Sequence, residues 1–168
     1  ENVDWSHTRA YALGLGDMYI NLRGREAQGI VAPGAEYESL RRELKQKLEG
    51  IVDPENGLHP VSRVYTREEA YSGFDPKFVP DLFVTNSEGY RVSWQTSLGG
   101  IQKNLLEENK RVWSGDHCSV NPELVKGIFF YNRKLQSDRA PYIADIYPTV
   151  LKLLGLQAPY RLDGVALQ

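Results

Sequence analysis

Gly115-Asp116-His117-Cys118 sets three side chains able to ligate zinc side by side, in a chain with three histidines and one cysteine. Carboxylate, imidazole and thiolate all donate a lone pair to zinc. Three consecutive residues seldom hold one ion together, because neighbouring side chains diverge. The sequence has no CxxC or HExxH spacing to complete such a site. A single histidine just ahead of a strand is more often structural. On these residues alone the structural and the ligand readings of His117 both stand, and Cys118 makes a poor nucleophile. His7 and His59 sit in unrelated contexts, and His59, between Leu58 and Pro60, reads as a surface-loop histidine.

A second glycine-bearing stretch, Gly14-Leu15-Gly16-Asp17, invites comparison with a phosphate-cradling loop. It lacks the full spacing and the following Lys-Ser/Thr, and no long helical pattern succeeds it. It reads as a tight turn between short strands at Tyr11-Leu13 and Met18-Leu22.

The elements that must position these residues are legible in part. Tyr37, Leu40, Leu44 and Leu48 recur at helical spacing, with Gly50 as the stop. The opposite side, Glu38, Arg41, Arg42, Glu43, Lys45 and Lys47, reads as a solvated face. A strand is expected at Val61-Tyr65, with a polar helical turn over Arg67-Tyr71. Residues 79–94 read as a hairpin: strand Leu82-Thr85, turn Asn86-Gly89, return strand Tyr90-Trp94. After a polar, Gly-interrupted surface loop, a buried strand is expected at Ile128-Tyr131. Ile143, Ile146, Val150 and Leu153-Leu154 form a helical stripe. Pro148 is tolerated only in a first turn, so that helix is expected to begin near Ala144 or Asp145 and to stop at Gly155. Strands and helices alternate, which favours an α/β class.

Composition sets bounds. The chain has 168 residues, with 41% hydrophobic and 25% charged content, as an ordinary globular domain does. Net charge is −2, which provides no pull toward nucleic acid or an acidic membrane. No apolar run approaches the roughly 18 residues of a membrane span. No basic-then-apolar leader is visible. A start at Glu1-Asn2-Val3-Asp4 without Met fits a processed product or a fragment. Compartment is left open, since one thiol says little about it.

Three segments, in order, resemble one family. "VDWSHTRAYALGLGDMYINLRGREAQGIV", "WSGDHCSVNPELVKGIFFYNR" and "IADIYPTVLKLLGLQAPYRLDGVAL" cover 3–31, 113–133 and 143–167. Together they are similar to the C-terminal part of type I phosphodiesterase/nucleotide pyrophosphatase proteins of the alkaline phosphatase superfamily. "REEAYSG" and "PDLFV" also fit. The resemblance implies the C-terminal portion of an alkaline-phosphatase-like fold, with a mostly parallel central sheet flanked by helices. It implies one domain or fragment over 1–168, with 35–80 as a possible cap-like insertion.

The resemblance also implies two divalent metal ions, usually zinc, in the complete enzyme, and a Thr or Ser nucleophile attacking phosphorus in line. His117 matches the family's last metal-binding histidine, while Asp116 matches no ligand and reads as a turn or supporting residue. Cys118 occupies a variable position. Asn21 and Arg25 invite a substrate-contact reading, since a guanidinium suits phosphate. Equally, both residues could fix the Gly-rich turn by hydrogen bonds. His7 departs from the basic residue expected between Ser and Thr in the first segment.

The nucleophile and most metal ligands of that family belong to its N-terminal half, and no Ser or Thr here sits in their context. The chain alone is therefore expected to be inactive and to self-associate, with a phosphate ester as the whole protein's substrate and the N-terminal remainder as its partner. Two alternatives are a non-catalytic binding or structural module that keeps the fold and, more weakly, a sulfatase-like hydrolase.

Overall fold

The computed structural model describes residues 3–100, 103–110, 112, 121–132, 134–135 and 139–167. The chain divides into two compact units, Glu1–Val125 and Lys126–Gln168. The class is mixed α/β.

The first unit is built on a four-stranded sheet of order β1-β2-β4-β3. Its strands are β1 (Ala10–Leu13), β2 (Asp17–Ile20), β3 (Val61–Thr66) and β4 (Leu82–Asn86). Every pairing in it is antiparallel. The mostly parallel sheet expected from the resemblance is not among the described residues. The connection between β1 and β2 explains the local outcome: Gly14-Leu15-Gly16 is far too short for the crossover a parallel pair needs. Gly16 has φ 137°, and a Cβ there would lie 2.5 Å from the Val84 carbonyl oxygen. The glycines of this stretch therefore serve a turn pressed against β4, as the sequence suggests.

The amphipathic helix α1 (Ala35–Glu49) lies over one face of the sheet. Tyr37 and Leu40 pack with Ile20 and Val31, while Leu44 and Leu48 reach Val61, Val64 and Leu82. Full burial of such an aliphatic side chain, as at Leu40 and Leu82, contributes about 1.5–3 kcal/mol, and the half-buried Leu44 and Leu48 contribute less. The charged side of α1 is solvated except at Arg41, which is buried. Glu68 and Glu69 of the short helix α2 (Arg67–Ala70) stand beside it, and Glu68 takes the Arg41 guanidinium. A reciprocal cap starts α2: Thr66 Oγ1 accepts from the Glu69 N–H, and Glu69 Oε2 accepts from the Thr66 N–H. The opposite sheet face is aromatic. Tyr11 stacks on its cross-strand partner Tyr19 at 5.4 Å, Trp5 meets Tyr11 edge-on, and Tyr71 meets Phe83 edge-on.

Two expected strands do not form. Tyr90-Trp94 is not the return strand of a hairpin, because β4 already has β2 on one edge and β3 on the other. The turn after β4 forms at Ser87–Tyr90. The chain then enters a short helix, α3 (Trp94–Ser97). Ile128-Tyr131 is not a strand either: no strand among the described residues pairs with it, and Ile128 and Phe130 are exposed.

In the second unit a 3-10 turn over Ile143–Asp145 leads into α4 (Ile146–Leu153). Asp145 is fully buried and organises the unit. Its carboxylate accepts from the Tyr142 and Val165 N–H groups, each at 2.8 Å, and from Arg139 at 2.7 Å. Thr149 donates to the Asp145 carbonyl and accepts from the Leu167 N–H at 2.8 Å. Gly164 permits the return, since a Cβ there would fall 2.0 Å from the Ala144 carbonyl oxygen. Replacing Thr149 with Val will leave the buried Leu167 N–H without a partner, at a cost of about 1–3 kcal/mol. The expected readout is faster hydrogen exchange at Leu167, with Thr149→Ser nearer to the parent.

No helix among the described residues is long and apolar enough to cross a membrane.

Candidate functional site

His117, with Asp116 and Cys118, lies outside the described residues. Asn21 and Arg25 are both described, and the fold brings them to one corner of the first unit. β2 ends at Ile20, and the chain then loops back so that Ile30 and Val31 both donate to the Asn21 carbonyl. Asn21 is buried. Its amide nitrogen lies 2.9 Å from the Thr8 carbonyl oxygen, 3.0 Å from that of Gln28 and 3.2 Å from that of Trp5. With two hydrogens shared among three acceptors, the donor end of Asn21 is committed to holding the loop.

Arg25 is held as firmly. Its guanidinium forks onto Asp81, Nη1 to Oδ1 at 2.8 Å and Nη2 to Oδ2 at 2.6 Å. Nη2 also donates to the Ile20 carbonyl and Nε to Glu26. The turn-fixing interpretation of both residues thus accounts for the contacts seen. The Arg25 side chain nonetheless stays about one-eighth exposed, with 13% of its surface open to solvent.

Asp81 is the hub that sequence reasoning missed. It has no exposed surface. Besides the Arg25 fork it accepts from the Ile20 N–H at 2.6 Å, the Tyr37 hydroxyl at 2.6 Å and Arg67 Nη1 at 3.3 Å. Burial pushes its carboxyl toward a higher pKa, but these donors and the Arg25 charge outweigh burial and hold it below the ordinary range. Tyr37 is shifted the other way, upward, first by burial and then by its bond to Asp81. Arg67 lies between the Tyr37 and Phe74 rings, 5.5 Å from each centroid, and also donates from Nε to Glu68. The one sequence signal for Asp81 was a lone acid entering the apolar run Pro80-Asp81-Leu82-Phe83-Val84.

Above this hub lies an open depression of about 460 Å³, lined by Leu22, Arg23, Gly24, Arg25, Arg67, Pro76 and Lys77. Four of those seven residues are cations, and none is an acid. The two other histidines are surface residues. His7 Nδ1 lies 2.8 Å from Asp4 Oδ2, and His59 Nδ1 lies 3.1 Å from the Glu49 carbonyl oxygen. Among the described residues, no group of three His, Cys, Asp or Glu side chains could hold a metal ion.

No family model, curated protein or solved structure matches the chain.

Proposed function

We propose that this chain is the C-terminal portion of a metal-dependent phosphoric ester hydrolase of the phosphodiesterase/nucleotide pyrophosphatase type, with His117 as one metal ligand. The observation that carries the proposal is the order of the three segments 3–31, 113–133 and 143–167 along nearly the whole chain.

Local geometry ties the quoted motifs together within each unit. Arg25 of the first segment is bonded to Asp81 of "PDLFV". In the third segment, Asp145 and Thr149 of the closing helix hold the Val165 and Leu167 backbone of the Asp-Gly tail. The alkaline-phosphatase-like parallel sheet belongs to this proposal, as does the pair of zinc ions. When bound, such ions stabilise charge on the phosphoryl oxygens and activate the nucleophile. This chain's part would be to supply the His117 imidazole as one neutral ligand to such an ion.

Uncovered apolar side chains support a chain that works as part of something larger. Ile128 and Phe130 are 83% and 89% exposed, and the α4 stripe of Ile146, Val150 and Leu153 is about half exposed. Exposed apolar side chains gathered on one helix stripe suit a surface that another protein surface covers. The 168-residue chain by itself is therefore expected to sediment as species heavier than a monomer, increasingly so with concentration. A monomer that melts in one cooperative step would overturn that expectation.

The direct test is hydrolysis of a bis-aryl phosphate diester, with and without zinc, by the intact gene product. Zinc-dependent turnover is expected. No turnover on diesters or monoesters would move the reading to a binding or structural module.

A further inference from the structure

We propose that the basic depression of the first unit is a binding site for a phosphoryl dianion, formed by Arg23, Arg67 and Lys77 over a floor held by Arg25. The proposal does not rest on the hydrolase reading, because it concerns described residues that make no use of His117.

The charges around the depression divide into two pairs. Arg25 and Arg67 are anchored from below by Asp81, and their Nε groups are taken by Glu26 and Glu68. These carboxylates fix the direction of both guanidiniums and neutralise much of their charge. Arg23 and Lys77 are different. Both are exposed, and among the described residues neither side chain meets a carboxylate. Arg23 Nη2 donates only to the Ile30 carbonyl, at 3.0 Å. Asp75 sits two residues before Lys77, but its Oδ1 accepts from the Lys77 backbone N–H rather than from the ammonium. Two uncompensated cations therefore face a wall that contains no acid.

That combination selects a ligand class. Two unpaired positive charges suit a doubly charged anion better than a carboxylate. Guanidinium groups present N–H forks that match phosphoryl oxygens. Arg67 contributes Nη2, which makes no hydrogen bond within the described structure, and its aromatic neighbours Tyr37 and Phe74 restrict where it can point. Gly24 presents no Cβ to the wall, leaving room for an anion to approach the backbone. The depression is open to solvent on one side. The site can thus take a phosphoryl group carried on a larger molecule as well as inorganic phosphate.

Inorganic phosphate, pyrophosphate and acetate are titrated into the 168-residue chain by calorimetry, with a chelator present so that metal binding cannot mimic the signal. The same titrations follow on Arg23→Ala/Lys77→Ala, two exposed positions at which folding is checked by circular dichroism. Saturable binding of phosphate or pyrophosphate is expected, with acetate weaker by at least about ten-fold and the double variant weaker by at least about ten-fold. Charge reversal with Lys77→Glu is expected to weaken binding further, in a variant whose buried residues are untouched. The proposal is overturned by any of three results: no saturable binding up to about 10 mM, acetate binding as tightly as phosphate, or a double variant within about two-fold of the parent.

Discussion

Replacing Asp81 with Ala will cost the first unit about 3–5 kcal/mol, the largest loss expected from any single change in this chain. Asp81 has no exposed surface and holds Arg25, Arg67, Tyr37 and the Ile20 N–H at once. Its removal takes the shared acceptor from two guanidiniums, which keep only Glu26, Glu68 and the Ile20 carbonyl, and leaves the Tyr37 hydroxyl and the Ile20 N–H to find water or move. The damage should spread along a definite line. Arg25 ties the loop after β2, Tyr37 ties α1, and Arg67 ties the start of α2. Asp81→Asn keeps one acceptor oxygen and should lose less. The measurement is urea unfolding followed by tryptophan fluorescence. An Asp81→Ala midpoint within error of the parent would show that the hub contributes nothing net.

The same hub sets an acid limit. Asp81 titrates below its ordinary value of 3.8, so its contribution is fully present above that pH and is lost as pH falls through the lower folded value. Glu68 and Glu69 act in the same direction. Burial works to raise Glu68, and hydrogen bonds from Arg41 and Arg67 overcome it to bring the group to about 2. Glu69 is brought to about 2 by the Thr66 N–H and then by Lys45. Stability should therefore decline from the ordinary glutamate range near 4.5 down to about 2. Because Glu68 and Glu69 are partly exposed, their share should shrink in salt, whereas that of Asp81 should persist. In Asp81→Ala the salt-resistant part of the acid transition should disappear.

The second large effect is expected in the intact gene product. His117→Ala should lower zinc-dependent diester turnover by at least about 100-fold, since disturbing groups that merely support a ligand already costs 10–100-fold. An imidazole that ligates zinc contributes to holding the ion, so its loss should also raise the zinc concentration needed for half-maximal activity. Excess zinc should then recover part of the turnover. A histidine with only a packing role would not show that recovery. Turnover unchanged by the substitution would remove His117 from the metal site while leaving the hydrolase reading to stand or fall on the parent's activity.

Local patterns in the sequence determined a good deal. The spacing of Tyr37, Leu40, Leu44 and Leu48 marks α1, and Gly50 marks its end. Thr66 and Glu69, three apart, carry the signature of the cap that starts α2. Pro148 and Gly155 bound the closing helix to within a residue or two. Gly14 and Gly16 announced a turn. These signals act over at most a helical turn or a tight loop, so the chain need not be folded for them to be read.

Pairings across long separations were decided only in three dimensions. β4 could have turned back on the residues after it, yet it inserts between β2 and β3, because those strands present apolar residues to the side that α1 covers. Strand partners are chosen by burial of a shared face, which no short window records. Asp81 lies 56 residues from Arg25 and 44 from Tyr37, so only the folded chain shows one carboxylate organising three elements. The basic depression has the same origin. Arg23 and Arg25 come from one loop, Arg67 and Lys77 from another region of the chain, and a charge pattern along the sequence says nothing of their meeting. Sequence alone determined the helices, their ends and the tight turn between the first two strands. Tertiary structure decided which charges are buried, which are paired and which face solvent together, because electrostatics depends on distance through space and on the water excluded between groups.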